Sequence, residues 1–466
     1  MDTLVDTLFA ALGAHAGRVA VTDPDTTLTY AELGAAAGRL AADLAAHQRP
    51  DRLRVGLLAP NSVAYVTCYA AVLRAGAVPF LIDAALGPAE LAVVIEDCSL
   101  DLLIHDGRDV GTPLGAFGGL FLARLAPAAD RHPLGADTAV CRFTSGSTGR
   151  PNCIEFPGHA VVAAARNWAT GTGLTGGDRI ACFAALSNGL AFNTSLLAAF
   201  LVGASLHLSR GLPTGGHIAR LLQATGATRL VGFPALYESV VRRGLADDAL
   251  AGVRIAISSG APLRAETRAA FAALTGRTIR DYYGVAETGP LTFAAEPGAG
   301  LGRPLPGVDL RTGDDGGIRV RSASMGSRYL NAPGLLESRT DADGYYDTGD
   351  QGHLVDGELV LTGRTARMIN VGGRKVDPTE VAAVLRTAPG VLDTVVFEAP
   401  DRHGGPAVVA AVTGGDLDRG ALRAHCARVL APYKVPSIVL LLADIPANSI
   451  GKPSLPALRE LVTRSV

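Results

Sequence analysis

The chain has 466 residues, 48% of them hydrophobic and 18% charged, and its formal net charge at pH 7 is −2. Such a length suggests two or three domains, and a pI of about 6.6 excludes the basic excess of a typical nucleic-acid-binding protein. Only three of the 42 basic residues are lysines: Lys375, Lys434 and Lys452. Each deserves inspection, because arginine keeps its proton and is a poor substitute for a compact ammonium group.

Three features bear on the compartment. Residues 1–18 place acidic residues before a short apolar run, unlike a secretory signal. Residues 180–209 contain no Asp, Glu, Lys or Arg and are long enough to cross a bilayer, but Ser187-Asn188-Gly189 interrupts them, so we interpret them as a buried strand, a polar turn and a core helix. The six cysteines lack metal-ligand spacing and are expected to be buried free thiols. We therefore expect a cytoplasmic protein with no membrane partner.

Short apolar runs alternate with Ala/Leu-rich helical stretches through the N-terminal part of the chain. The predicted strands are residues 54–58, 78–82, 102–104, 180–183, 229–232 and 253–257, and a helix is predicted over residues 63–74. Strands that alternate with helices favour parallel α/β layers.

The pattern changes after about Gly302, where short alternating runs rich in glycine and aspartate predict a small antiparallel β region. A last unit combines predicted helices at residues 376–386 and 417–430 with predicted strands at residues 394–397 and 407–412. This combination is α+β and is small enough to form a separate domain.

One segment consists of six consecutive hydroxyl-bearing or glycine residues: Thr144, Ser145, Gly146, Ser147, Thr148 and Gly149. Backbone N–H groups and hydroxyls in such a loop can turn toward a phosphate chain. The segment lacks the GK[ST] ending of a Walker A loop. Taken alone, its composition also fits an ordinary Ser/Gly turn.

Further polar motifs follow in the remainder of the chain. They are Tyr283-Gly284-Val285-Ala286-Glu287, Tyr346-Asp347-Thr348-Gly349-Asp350, Gly363-Arg364 and the C-terminal Gly451-Lys452. Each of them alone is compatible with common loop chemistry.

In this order and spacing, TSGSTG, YGVAE, YDTGD, GR and GK resemble the adenylate-forming enzymes, which comprise acyl-CoA synthetases, adenylation domains of nonribosomal peptide synthetases, and luciferases. The resemblance implies an α/β protein. Its large multi-layer N-terminal domain, residues 1–363, would contain parallel and mixed sheets and a small β region. Its small mobile α+β C-terminal domain, residues 364–466, would carry Lys452.

The resemblance also implies an activity and a set of site residues. ATP would activate a carboxylic acid as an acyl-adenylate with release of pyrophosphate, and a thiol or an amine would then take the acyl group. Lys452 would bridge the acid and the α-phosphate, and Glu287 with Thr144 would hold Mg²⁺. Asp350 and Arg364 would bind the ribose, and Tyr283 would lie against the adenine. The other expected nucleotide contacts are Thr144, Ser145, Gly146, Ser147, Thr148, Gly149, Ser259, Gly260, Ala261, Tyr282 and Gly284.

The chain departs from the family pattern at three positions. Asn152 stands where a lysine is usual, which removes one cation near the pyrophosphate unless Arg150 or another arginine replaces it. Ala286 replaces a threonine before Glu287. Ala366 replaces an acidic residue that is frequent at the hinge, where Ala366 or Arg367 would act.

The expected acid pocket points away from α-amino acids. Residues 187–195, where peptide-synthetase domains carry an aspartate for the ammonium group, contain no acidic side chain. Because a buried ammonium without a carboxylate partner is costly, we favour an aromatic or other non-α-amino acid, with Asn188 available to a ring hydroxyl. The remaining pocket candidates are Phe192, Phe233, Ser259, Gly260 and Gly284.

The sequence determines the acceptor of the acyl group less closely than it determines the class of acid. Residues 372–380 resemble the corresponding segment of CoA ligases, which favours coenzyme A, although the phosphopantetheine of an acyl carrier protein is also a suitable thiol. Three alternatives remain: an amine acceptor in an amide-forming or diazotising enzyme, an amino-acid adenylation domain, and a non-catalytic nucleotide-binding relative. The expected assembly is a monomer or a homodimer.

Overall fold

The computed structural model of the chain describes residues 4–128, 131–144, 150–210, 214–243, 249–260, 263–296, 300–364, 368–446 and 453–465. The predictions made for residues 145–149, Ala261, Ala366, Arg367 and Lys452 lie outside these ranges. The chain divides into two compact units. The larger unit consists of Met1–Ala84, Cys98–Phe143 and Cys153–Thr365, and the smaller unit of Ala85–Asp97, Thr144–Asn152 and Ala366–Val466.

The helices are distributed over both units. They are α1 Leu4–Ala14, α2 Tyr30–Ala45, α3 Val63–Arg74, α4 Pro88–Cys98, α5 Gly158–Gly171, α6 Gly189–Ala191, α7 Leu197–Val202, α8 Gly215–Thr225, α9 Pro234–Arg243, α10 Ala265–Thr275, α11 Pro378–Arg386, α12 Arg419–Ala427 and α13 Leu455–Ser465. A π-helical turn, Phe192–Leu196, joins α6 to α7, and 3₁₀ turns lie at Glu337–Arg339 and Pro432–Lys434.

Strands alternate with these helices along the chain. They are β1 Val19–Thr22, β2 Thr27–Thr29, β3 Arg54–Leu58, β4 Val78–Leu81, β5 Leu102–His105, β6 Thr112–Phe117, β7 Leu120–Arg124, β8 Thr138–Thr144, β9 Asn152–Pro157, β10 Arg179–Cys182, β11 Ser205–Leu208, β12 Arg229–Gly232, β13 Ile255–Ser258, β14 Ile279–Val285, β15 Gly289–Phe293, β16 Arg303–Pro304, β17 Val308–Thr312, β18 Gly317–Ser322, β19 Arg328–Tyr329, β20 Tyr346–Val355, β21 Glu358–Arg364, β22 Ile369–Val371, β23 Arg374–Val376, β24 Val391–Pro400, β25 Pro406–Gly414 and β26 Ile438–Leu441.

The larger unit contains three sheets. One has the order β16-β15-β14-β13-β12-β10-β11-β1-β2, and its strands from β14 to β1 are parallel. A second has the order β19-β9-β8-β4-β3-β5-β7-β6, with β8, β4, β3 and β5 parallel. The third, β17-β18-β20-β21, is antiparallel. These sheets confirm the predicted parallel and mixed α/β layers and the small antiparallel region.

Helix α3 shows how composition determines position in the core of the larger unit. Ser62 caps its N-terminus by accepting a hydrogen bond from the backbone N–H of Tyr65, and every residue from Val63 to Leu73 is buried. A helix that is apolar on all sides is stable only when it is surrounded by other elements. One continuous apolar cluster accordingly contains residues of α3 together with residues of both large sheets.

The smaller unit is α+β, as predicted. Its three-stranded sheet has the order β24-β25-β26, and β22 and β23 form a separate antiparallel pair. Apolar residues of α11, α12 and the sheet share one core. Its predicted helices and strands are confirmed to within a few residues of their ends, whereas the domain boundary at 363/364 stays a prediction.

Two further predictions are confirmed. Residues 180–209 form β10, a polar turn, the helices α6 and α7 and strand β11. Within the described ranges, no helix is both long enough and apolar enough to span a membrane. All six cysteines fall in those ranges, and each is a buried free thiol.

Candidate active site

Several predicted site residues follow neighbouring strands at one edge of the nine-stranded sheet. The strands β10, β12, β13 and β14 are adjacent and parallel, so their carboxyl ends share one edge. Shortly after these ends come Asn188, Phe233, Ser259 with Gly260, and Glu287, respectively. Ligands of parallel α/β sheets bind outside the carboxyl ends of the strands. The topology therefore brings these predicted residues to one edge.

Tyr283 and Asp350 come from two motifs that are 67 positions apart, and they are joined directly. The hydroxyl of Tyr283 donates a hydrogen bond of 2.7 Å to Oδ2 of Asp350. Both residues are buried, with exposures of 7% and 6%. Asp350 lies opposite Arg364 in the β20–β21 register. The carboxylate expected to bind the ribose is thus held in a defined orientation by the tyrosine expected to lie against the adenine.

Gly284 allows a close approach of two chain segments next to this pair. A register shift separates Tyr283 from Gly284 in the β14–β15 pairing. A Cβ atom at position 284 would lie 2.4 Å from the carbonyl oxygen of Gly289, a contact that any other residue would make. The glycine of the YGVAE motif is therefore required by the backbone itself, whether or not it contacts a ligand.

Tyr282 is packed in the core of the larger unit. Its ring meets Trp168 edge-on, with a centroid separation of 5.0 Å, and its hydroxyl is paired with Asn193. Burial raises the pKa of Tyr282 to about 12. Its proposed contact with the nucleotide stays a prediction.

Glu287 accepts a hydrogen bond of 2.6 Å from the hydroxyl of Tyr329 at Oε1. Among the residues that the structure describes, no group of three His, Cys, Asp or Glu side chains is suited to hold a metal. A Mg²⁺ ion in nucleotide sites characteristically takes one or two carboxylates and completes its shell with phosphate and water oxygens. Glu287 fits the role of one such carboxylate ligand.

Three of the acid-pocket candidates, Asn188, Phe192 and Phe233, have defined structural surroundings. Asn188 caps helix α6, and its Oδ1 accepts a hydrogen bond of 2.9 Å from the backbone N–H of Leu190. Phe192 is buried in the π-helical turn, and Phe233 is partly buried against the main core. The cap occupies one acceptor position of Asn188, so a substrate hydroxyl would have to use its remaining acceptor capacity or its amide group.

Arg150, a candidate to replace the missing lysine at Asn152, is already engaged in the smaller unit. Its guanidinium forms a two-point ion pair with Asp97, in which Nε lies 3.1 Å from Oδ2 and Nη2 contacts Oδ1. The partner carboxylate raises the pKa of Arg150. Use of Arg150 for pyrophosphate would require this pair to open.

Sequence reasoning missed Arg142 in β8, two residues before Thr144. The side chain is buried, with 4% exposure. Its Nη2 donates a hydrogen bond of 2.9 Å to the carbonyl of Ala286, the residue before Glu287. The available signal was an arginine inside the apolar run Ala139-Val140-Cys141-Arg142-Phe143, because arginine is rarely buried without a specific partner.

Comparison with known proteins agrees with this arrangement. Residues 8–337 match the family described as AMP-binding enzyme, and residues 380–452 match the AMP-binding enzyme C-terminal domain. The chain belongs to the AMP-binding enzyme family. It is an adenylate-forming ligase by this membership, and the motif-based assignment is confirmed.

Relatives of this AMP-binding enzyme include full-length matches and a segment of a longer protein. A feruloyl-CoA synthase of Amycolatopsis sp is 30% identical, with 95% of each chain covered. CymA of Salinispora arenicola, a probable nonribosomal peptide synthetase, is 30% identical over 97% of this chain, which spans 6% of that protein. A malonyl-CoA ligase, solved as a ternary product complex with methylmalonyl-CoA and AMP bound, has 29% identity and a TM-score of 0.81, with 94% of this chain and 100% of that chain covered.

Proposed function

We propose that this AMP-binding enzyme uses Mg²⁺-ATP to convert a non-α-amino carboxylic acid into an acyl-adenylate, and then transfers the acyl group to the thiol of coenzyme A. The observation that carries the proposal is the Tyr283–Asp350 hydrogen bond. It fixes a buried carboxylate beside the motif that ends in Glu287. A fixed carboxylate suits the two adjacent hydroxyls of a ribose, because an ionised carboxylate only accepts hydrogen bonds.

The adenylation step requires a carboxylate to attack a polyanion. Cations and N–H donors must therefore gather around the phosphates, where they stabilise the charge that develops in the transition state. We assign Glu287 to Mg²⁺, the segment 144–149 to the β- and γ-phosphates, and Lys452 to the α-phosphate and the attacking carboxylate. Mg²⁺ would supply charge neutralisation on the phosphate oxygens.

Two observations support a substrate without an α-amino group. Residues 187–195 contain no carboxylate that would pair with an ammonium group, and the buried guanidinium of Arg142 lies beside Gly189 and Phe192. Like charges in a low-dielectric site repel strongly. The feruloyl-CoA synthase relative, which by its name acts on an aromatic acid, makes aromatic acids a natural first panel.

For the acceptor, the sequence of residues 372–380 and the CoA-ligase relatives support coenzyme A over a carrier protein or an amine. A panel of carboxylic acids, incubated with the protein, ATP and Mg²⁺, tests the adenylation step through pyrophosphate release. Coenzyme A, a phosphopantetheinylated carrier protein and a simple amine are then added separately, and the acylated product is measured by mass spectrometry. We expect a CoA thioester. Tight ATP binding with no pyrophosphate from any acid would contradict the proposal, and exclusive amide formation would contradict the thiol acceptor.

A further inference from the structure

The guanidinium of Arg142 lies against two aromatic rings. Its Cζ lies 4.3 Å from the ring centroid of Phe156 and 5.1 Å from that of Phe192. These rings stabilise the positive charge, but they offer no carboxylate or carbonyl oxygen as an acceptor for the N–H bonds of the guanidinium. The N–H bonds of the guanidinium therefore need acceptors other than these rings.

Most N–H bonds of the guanidinium have no hydrogen-bond acceptor among the described residues. One N–H of Nη2 binds the carbonyl of Ala286, whereas Nε and Nη1 find no hydrogen-bond partner in the described part of the chain. The one N–H of Nε and the two of Nη1 thus have no acceptor among the described residues. Within the same ranges no carboxylate forms an ion pair with Arg142. Burial lowers the pKa of Arg142 to about 10, although the nearby charge of Glu287 acts in the opposite direction. A buried cation with unmet donors is costly unless an anion completes it.

The hydroxyl of Tyr69, whose ring contacts Phe192, is another buried polar group without a hydrogen-bond partner among the described residues. Its ring meets Phe192 edge-on at 5.9 Å, its exposure is 1%, and its hydroxyl has no partner within the described residues. Burial raises the pKa of Tyr69, and the charge of Arg142 opposes that rise. The tyrosine is therefore a neutral donor next to a cation.

The space beside Nη1 is bordered by a glycine of the predicted acid pocket. A Cβ atom at Gly189 would lie 3.1 Å from Nη1 of Arg142 and 3.8 Å from Nδ2 of Asn193. Any side chain at this position would therefore crowd Nη1 of Arg142 from the segment that carries Asn188. A π-helical turn follows this segment at Phe192–Leu196, and π-helical turns are frequent at functional sites.

We propose that Arg142 and Tyr69 form an anion-binding subsite for a second carboxylate of the substrate, so that the acid this enzyme activates is a dicarboxylic acid. The inference rests on the proposed adenylating function and names its substrate class. One carboxylate accepts from an N–H of Nη1 and from the tyrosine hydroxyl, and the other is left for adenylation.

The burial of Arg142 favours the non-reacting carboxylate, and not the reacting one, as the partner of its guanidinium. A carboxylate that attacks the α-phosphorus has to keep its nucleophilic oxygen available, and a strong ion pair with a buried guanidinium would stabilise the ground state more than the transition state. That oxygen then leaves with AMP when the thiol attacks the acyl carbon and the bond between the acyl carbon and this oxygen breaks. A deeply buried cation suits the end of the substrate that does not react.

The test compares matched acids. Aliphatic and aromatic dicarboxylic acids of graded length are each paired with the monocarboxylic acid in which a methyl group replaces one carboxylate, and kcat/KM for pyrophosphate release is measured for every member. We expect the preferred diacid to exceed its partner by about 100-fold, since breaking a buried charge pair costs several kcal/mol. Arg142→Leu should abolish this preference, so that each diacid and its monoacid partner give similar kcat/KM, whereas Arg142→Lys should restore part of it.

Tyr69→Phe separates binding from folding. Removal of an unpaired buried hydroxyl should leave the thermal unfolding temperature unchanged or raise it, while kcat/KM for the diacid falls about tenfold. Equal losses for diacids and monoacids in Arg142→Leu, or no diacid preference in the wild type, would overturn the inference and assign Arg142 to the reacting carboxylate or to structure.

Calorimetry of diacid binding, with Mg²⁺ and a non-hydrolysable ATP analogue present, distinguishes the two levels of the proposal. Diacid binding that depends on Arg142, but without pyrophosphate release, would refute the adenylating function and keep the subsite. Adenylation of monoacids in a protein that binds no diacid would refute the subsite and keep the function.

Discussion

The hydroxyl of Tyr283 lies 2.7 Å from Oδ2 of Asp350, and both groups are buried. Asp350→Ala should remove the ribose acceptor and raise KM for ATP by about 100-fold. Tyr283→Phe keeps the carboxylate and removes one hydrogen bond that orients it, so KM for ATP should rise by about tenfold, which matches the loss of one hydrogen bond to a charged group. Steady-state kinetics at saturating acid measures both values.

A matched control is available in the same unit. Tyr345 donates a hydrogen bond of 2.6 Å to Asp309, outside the predicted site. Tyr345→Phe deletes the same type of bond and should leave KM for ATP unchanged. If both phenylalanine variants changed KM equally, the Tyr283–Asp350 bond would be a structural contact without a role in nucleotide binding.

The extent to which the site was predictable depends on the separation of its parts in the chain. The strand ends that carry Phe233, Ser259 and Glu287 were accessible to pattern reasoning, because apolar runs and the turns after them are local properties. The partners of side chains were not. Lys434 is noticeable in the sequence as one of three lysines, but its carboxylate partner Glu90 is 344 positions away, and no local pattern encodes that approach. Arg142 was missed for a similar reason. Its significance lies in the lack of hydrogen-bond acceptors around Nε and Nη1 among the described residues, and this lack arises only when the chain folds.

His207 should give the larger unit a measurable pH dependence. Its Nε2 is paired with Oγ of Ser205 at 2.9 Å, and burial, with a contribution from Arg179, lowers the pKa of His207 to about 4. The unfolded chain binds this proton near pH 6.5, so the stabilisation is complete above pH 6.5 and is lost progressively as the pH falls toward 4. Between pH 7.5 and 5.0, the free energy of unfolding should fall by about 2 kcal/mol through this group.

Urea unfolding followed by the fluorescence of Trp168 measures this term, because the chain has one tryptophan and it is buried in the larger unit. His207→Gln should reduce the difference between the two pH values by about 2 kcal/mol, whereas His353→Gln, at an exposed position of the same unit, should not change it. An unchanged difference in His207→Gln would mean that another group carries the pH dependence.

Lys434 should be the most sensitive lysine for the stability of the smaller unit. Its Nζ lies 2.7 Å from Oε1 of Glu90 and 2.7 Å from Oε1 of Glu380, and all three residues are buried. Burial alone would lower the pKa of Lys434, but the carboxylates outweigh it and raise the pKa. Lys434→Met leaves two carboxylates buried without their cation and should destabilise the unit by about 3–5 kcal/mol.

The triple variant Lys434→Met, Glu90→Leu, Glu380→Leu should recover most of that loss, since well-packed apolar residues replace buried ion pairs at little cost. Scanning calorimetry, with hydrogen exchange of α11 as a local probe, distinguishes the variants. Arg423→Met, which removes an exposed cation of the same unit, should be neutral. A small effect of Lys434→Met would show that the carboxylates take up protons at low cost.

Lys452 tests the division of the reaction into two steps. Lys452→Ala should lower the adenylation rate by two to three orders of magnitude, because a positioned cation in a closed site stabilises the transition state by about 3–4 kcal/mol. Transfer from a supplied acyl-adenylate to coenzyme A should change far less, because the α-phosphate bond has already formed. Lys452→Arg should not restore adenylation, since the planar guanidinium is a poor substitute for a compact ammonium. In a chain that uses arginine for nearly every other cation, full activity of Lys452→Arg would show that charge alone suffices at this position, and equal losses in both half-reactions would refute a role confined to adenylation.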